Sequence, residues 1–160
     1  MSKPRISRAA MRTGRPDLSR LNHLPLPASY VRNISLANHM ALEACCVPAG
    51  NKDLLNRISR VLYLSYLIWE AEGRAAPIAE FNAAEAVLDG AVRRAVESNV
   101  WRLEPKDRQP LAKVLLIHDE QLELISVRAY LIAAERLDRL LCSKDPASPL
   151  SRHVKAACAG

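Results

Sequence analysis

Between Lys52 and Gly73 the chain reads KDLLNRISRVLYLSYLIWEAEG, and the second half of this stretch carries apolar or aromatic side chains on every side. Leu54, Leu55, Ile58, Val61, Leu62, Ser65 and Ile68 or Trp69 recur at three and four residues and form one helical stripe. Tyr63, Leu64, Tyr66 and Leu67 fill the opposite side. A helix that is apolar all round is either central to its fold or shared with a second chain. This segment therefore demands other helices to cover it.

The flanking sequence supplies them. Residues 29–47 place Val31, Ile34, Ala37, Ala41 and Cys45 on one helical face. Ser29 is the expected cap, Pro48 the stop, and Gly50 the residue expected to take a left-handed turn. Asn51 is placed to cap the central helix, with Asp53 in its first turn, where a negative charge suits the helix dipole. A third helix is predicted from Pro77 to about Asn99, with Ile78, Phe81, Ala84, Val87 or Leu88, Ala91 or Val92, and Ala95 inward. Gly90 costs about 1 kcal/mol against Ala inside a helix, and a close helix crossing there is one reason for it. Val100, Trp101 and Leu103 make an apolar connector. A fourth helix begins near Pro105 or Pro110, with Pro110 in its first turn or at a kink. Ser126 is placed to cap a fifth, with Val127 or Tyr130, Leu131, Ala134, Leu137 and Leu141 inward. Without a break at Ser126 the last two become one long bent helix.

The predicted fold is all-α: a four- to five-helix antiparallel bundle over residues 21–142. Residues 1–20 have no helical or strand period and are broken by Pro4, Gly14 and Pro16, which predicts a disordered basic arm. Residues 21–28 read as an extended strap, with Leu24 and Leu26 between prolines and expected to lie on the bundle. The sharper reading makes the strap a peptide ligand for a partner's groove. Residues 143–160 are rich in Pro, Ser and Ala and are expected to form a flexible tail.

Charge divides the chain more sharply than hydropathy does. The formal charge is +6. Residues 1–20 hold Lys3, Arg5, Arg8, Arg12, Arg15 and Arg20 against Asp17 alone, which leaves a nearly neutral body of 17 bases and 16 acids. Any partner attracted by overall basicity is attracted by the arm. Cys45, Cys46, Cys142 and Cys158 show no disulfide framework spacing, and adjacent cysteines bridge each other poorly. The start of the sequence lacks an apolar signal core. Reduced thiols and a cytoplasmic setting are the expectation. The apolar run from Val61 to Trp69 is far shorter than the ~20 residues of a membrane span, so no membrane partner is expected.

Catalytic and metal signatures are sparse. No Glu-x-x-His motif, CxxC or G-x-S-x-G occurs. His39 and Glu43 stand one turn apart and read as a solvated helix pair. The dipeptide His118-Asp119, with His39 before it and Asp138 after it, follows the order of ligands in all-helical metal phosphohydrolases. Such a dipeptide is weakly specific, and Asp119, Glu120 and Glu123 also read simply as the wet face of the fourth helix. No catalytic residue, metal or cofactor is therefore assigned, and a metal-dependent phosphohydrolase stays a remote alternative.

The arm carries the one motif with a nucleic-acid mechanism. Gly14-Arg15-Pro16 is the core of the AT-hook pattern, a thin extended backbone that suits a narrow A·T minor groove. Lys3, Arg5, Arg8, Arg12 and Arg20 would meet phosphates or groove edges, while Asp17 stands where a further base would be expected. No aromatic residues interleave these bases, which disfavours stacking on single strands. The rival readings are a solvating tail and an organellar transit peptide.

The run GRPDLSRLNHLPLPASYVRNISLANHMALEA (residues 14–44), followed by GNKDLLNRISRVLYLSYLI, resembles a group of small helical proteins from proteobacterial genomes and mobile elements. Some of these carry the label of Fis-family transcriptional regulators. The resemblance extends from about Gly14 to Leu141 and implies a small helical, regulatory protein. A Fis-type helix-turn-helix needs a short turn and then a recognition helix. The sequence RAYLIAAERLDRLLCSKDPASP shows no Gly-containing turn before a helix, so no recognition residues carry over. The expectation is a non-enzymatic regulatory or accessory protein that contacts duplex DNA through its arm, its bundle serving a homodimer or a protein partner. The alternative is a protein-interaction module presenting Tyr63, Tyr66 and Trp69.

Overall fold

The computed structural model describes residues 23–72, 77–143 and 148–151. The basic arm, with every nucleic-acid contact expected from it, lies outside the described residues. Among those described are five α-helices: α1 (Ala28–Cys45), α2 (Lys52–Glu72), α3 (Ile78–Ser98), α4 (Arg108–Leu124) and α5 (Val127–Leu141). A 3-10 turn, Pro105–Asp107, runs directly into α4, which leaves Pro110 in that helix's first turn. None of these helices is long and apolar enough to cross a membrane.

The all-round apolar helix is central. α2 packs against α1, α3, α4 and α5, and Leu55, Ile58, Leu62, Tyr66, Leu67 and Ile68 are all fully buried. α4 closes the other side of the core on α1, α2 and α3. The inward stripe of α3 is Phe81, Ala84, Leu88, Ala91 and Ala95, at the predicted spacing. Ile125 and Ser126 are both extended, and the Ala129 N–H donates to Ser126 Oγ at 3.2 Å, so α4 and α5 are separate helices. α5 then packs on α2 rather than along α4.

Several local expectations need correction. α1 begins at Ala28, after Pro27, without a side-chain cap, so Ser29 lies inside the helix. Asn51 does cap α2, accepting the Leu54 N–H at 3.0 Å. α5 buries Ala133 and Leu137, with Tyr130, Ala134 and Leu140 half-buried, while Leu131 and Leu141 face outward. Val127, Tyr130, Ala134 and Leu137 thus lie on the inward side as expected, while Ala133 and Leu140 take the places expected for Leu131 and Leu141. In the strap, residues 23 and 24 form a turn and a bend, which leaves Leu24 52% exposed. Among the strap's described residues, Leu26 alone is buried. The Leu24 carbonyl accepts the Val127 N–H at 2.9 Å, so the strap is tied to the start of α5. Within the expected tail, residues 148–151 pack on the body: Leu150 is fully buried and the Ser148 hydroxyl donates to Glu85. Tyr63 donates to that same carboxylate at 3.0 Å.

The two helix-associated glycines have different reasons for being small. A Cβ on Gly50 would stand 2.6 Å from the Trp101 carbonyl oxygen and 3.1 Å from that of Cys45. The connector crosses the α1–α2 turn there, with the Leu103 N–H donating to Cys45 O at 2.9 Å. Close backbone approach, not a left-handed turn, excludes a side chain. At Gly90 a Cβ would meet only Arg94 Nη1, at 3.5 Å, an ordinary contact, so no close crossing occupies that face. The expected outcomes are opposite in sign. Gly90→Ala stabilises by about 0.5–1 kcal/mol through helix propensity. Gly50→Ala destabilises by about 1–3 kcal/mol through overpacking. Urea unfolding of the two variants checks both.

Candidate functional site

The departure of α5 from α4 leaves a wedge between helices. α1 and the first half of α2 form one wall, α5 the other, and α4 closes the floor. The resulting open groove has a volume of about 560 Å³. Ile34, Val61, Leu64 and Leu137 give it an apolar surface, and Asn38, Arg57, Arg60 and His118 bring polar groups to it.

Two of these polar groups are deeply buried. Asn38 is 2% exposed, and it occupies a position in the apolar stripe of α1, four residues after Ile34 and three before Ala41. Arg57 Nε donates to Asn38 Oδ1 at 3.2 Å. That bond fixes the amide orientation, because Arg can only donate. Asn38 Nδ2 is thereby left as a buried donor without a partner. His118 is 1% exposed, and its Nδ1 is likewise buried without a partner. Burial drives its pKa down to about 4, against a smaller opposing pull from Asp119. It is a neutral imidazole at pH 7, with one donor and one acceptor nitrogen.

The two arginines differ. Arg60 is held by Asp138 at 2.7 Å. Arg57 bonds only the neutral Asn38 amide, and among the described residues no carboxylate pairs with it. Tyr130 closes the rim, its ring edge-on to Tyr30 with centroids 6.1 Å apart. Burial and a hydrogen bond with Tyr30 raise its pKa, which keeps the phenol neutral.

The residues singled out for metal chemistry are dispersed. Successive helical side chains diverge by about 100°, so His118 turns into the core while Asp119 turns to α1. His39 Nε2 donates to Asp119 Oδ2 at 2.7 Å. Asp119 is thus half-buried and paired, not part of a wet face, although Glu120 and Glu123 are exposed. Glu43 pairs with Arg108 at 2.5 Å rather than sharing a site with His39. Asp138 is engaged by Arg60. Among the described residues no three His, Cys, Asp or Glu side chains gather to hold a metal. Cys45, Cys46 and Cys142 are free thiols, and burial pushes the Cys45 pKa up to about 11.

The aromatic surface expected on α2 is also not open. Tyr66 is fully buried, edge-on to Phe81 at 5.8 Å, while Tyr63 and Trp69 are half-buried. α3 and residues 148–151 cover this side, which is why a helix apolar all round needs no second chain to shield it. Sequence reasoning missed Asn38 and Arg57. The available signal was a polar residue inside the periodic apolar stripe of α1.

No protein-family model matches the chain, and no curated protein or solved structure shows significant similarity to it.

Proposed function

We propose that the chain is a non-enzymatic regulatory or accessory protein that contacts duplex DNA through residues 1–20. Segregation of charge carries this reading: six bases and one acid in the arm, against near neutrality elsewhere. The pairing of half of the body's described arginines supports it. Arg60, Arg94, Arg108, Arg136 and Arg139 are each engaged by a carboxylate of the body, at 2.5–2.7 Å. Such pairs cancel the local field that a phosphate backbone would otherwise feel. The resemblance to helical proteins labelled as transcriptional regulators points the same way. In this reading Arg15, between Gly14 and Pro16, enters an A·T minor groove, and Lys3, Arg5, Arg8, Arg12 and Arg20 meet phosphates.

The test is an arm-neutralised chain, with Arg5, Arg8, Arg12, Arg15 and Arg20 all changed to Gln, titrated into labelled duplex DNA by fluorescence anisotropy. The expected result is loss of binding by about 100-fold or more at low salt, with the helical circular dichroism unchanged. Equal binding by both chains would refute the proposal.

A further inference from the structure

The groove between α1, α2 and α5 combines features that an apolar packing defect does not share. It holds two buried polar atoms without partners, Asn38 Nδ2 and His118 Nδ1. Beside them stands a guanidinium with no carboxylate partner among the described residues. Leaving the two buried atoms unmet costs roughly 1–3 kcal/mol each, and buried polar atoms of this kind ask for a hydrogen-bonding occupant, while Arg57 stands exposed at the groove's edge. The volume, about 560 Å³, falls in the range of small-molecule sites. Ala134 lines the wall, where a larger side chain would fill the space.

We propose that this groove binds a small organic monocarboxylate with an apolar body. Arg57 uses Nε on Asn38 and keeps its two terminal nitrogens for a carboxylate, which they can hold by two parallel N–H···O bonds. Asn38 Nδ2 adds a donor next to that guanidinium. Charge on the rim sets the valence: Arg60 is already neutralised by Asp138, and Asp53 stands one turn before Arg57 and repels a second negative charge. Among the described residues lining the groove, one cation without a carboxylate partner therefore matches one carboxylate and not a dianionic phosphate. Ile34, Val61, Leu64 and Leu137 would enclose the apolar body, and His118 would offer its neutral ring to a polar substituent or to the second carboxylate oxygen.

The full chain is titrated with 4-phenylbutyrate by calorimetry, beside 4-phenylbutanol and 4-phenylbutyl phosphate, while the His118 ring resonances are followed by NMR. The expected result is saturable binding of the carboxylate that shifts His118, with the alcohol and the phosphate each weaker by about tenfold or more. Arg57→Gln should weaken the carboxylate by a similar factor and leave the alcohol unchanged. Ala134→Phe, which fills the groove from the opposite wall, should abolish both. The melting temperature of each variant shows whether it remains folded. Absence of saturable carboxylate binding to the unmodified chain overturns the proposal. So does equal or tighter binding of the alcohol or phosphate, or undiminished carboxylate binding by folded Arg57→Gln, which would place the anion on the arm.

Discussion

Phe81→Ala is expected to destabilise the fold by about 3–5 kcal/mol, the range for truncating a fully buried aromatic side chain. Phe81 is the largest inward residue of α3 and is completely buried. Its ring meets Tyr66 edge-on, with an interplanar angle of 79°, a geometry worth about 0.5–1.5 kcal/mol beyond the area it buries. Truncation opens a cavity at the α2–α3 interface. Both helices are anchored elsewhere, so they cannot collapse into it. The urea midpoint should therefore fall by more than about 1 M. Phe81→Leu, which keeps most of the volume, should cost less than about 2 kcal/mol. A loss below about 1 kcal/mol for the alanine variant would mean that α3 is not part of the core.

Acid should destabilise the chain through His118. Burial holds its folded pKa near 4, below the ordinary value of 6.5. Between those values the unfolded chain binds more protons than the folded one, so stability rises with pH across that window. The contribution is complete above the unfolded value and is lost as pH falls towards 4. It amounts to about 3 kcal/mol over the full interval. Carboxylates add their own acid sensitivity, so the decisive comparison is with His118→Gln. Between pH 7 and 4.5, denaturant titrations should show the unmodified chain losing about 2–3 kcal/mol more than the variant. Equal losses would show that His118 is not buried as a neutral group.

Much of the fold was legible because helical burial writes itself into spacing. The stripes of α2 and α3 were readable residue by residue, and Asn51 announced the start of α2. The errors occurred where tertiary contacts overrule local pattern. Leu131 and Leu141 fit a helical period, but α5 packs chiefly on α2, with Tyr130 against Tyr30 of α1, and those contacts select Ala133 and Leu140 instead. Gly50 looked like a turn glycine, although the distant Trp101 carbonyl is what excludes a side chain. Tyr66 looked available only until α3 placed Phe81 against it.

The groove was harder to read. His118 drew notice as half of a dipeptide with metal chemistry, yet its distinguishing property is a buried nitrogen without a partner. In the sequence Asn38 is one polar residue among several in α1. Its meaning depends on Arg57, nineteen positions away, and no local spacing rule reaches that far. The wedge itself arises from the direction α5 takes after Ser126, which periodicity does not encode.

The central claim is a division of labour between a cationic arm and a near-neutral helical body. Its most direct test is duplex DNA binding by the full chain and by residues 21–160 across a salt series, on A·T-rich and G·C-rich sequences. The account predicts that only the full chain binds. Its log affinity should fall with log salt at a slope of about −4 to −5, as neutralising about five phosphates requires. A·T-rich duplex should bind more tightly. Undiminished binding by residues 21–160, or no binding by either chain at low salt, would contradict it.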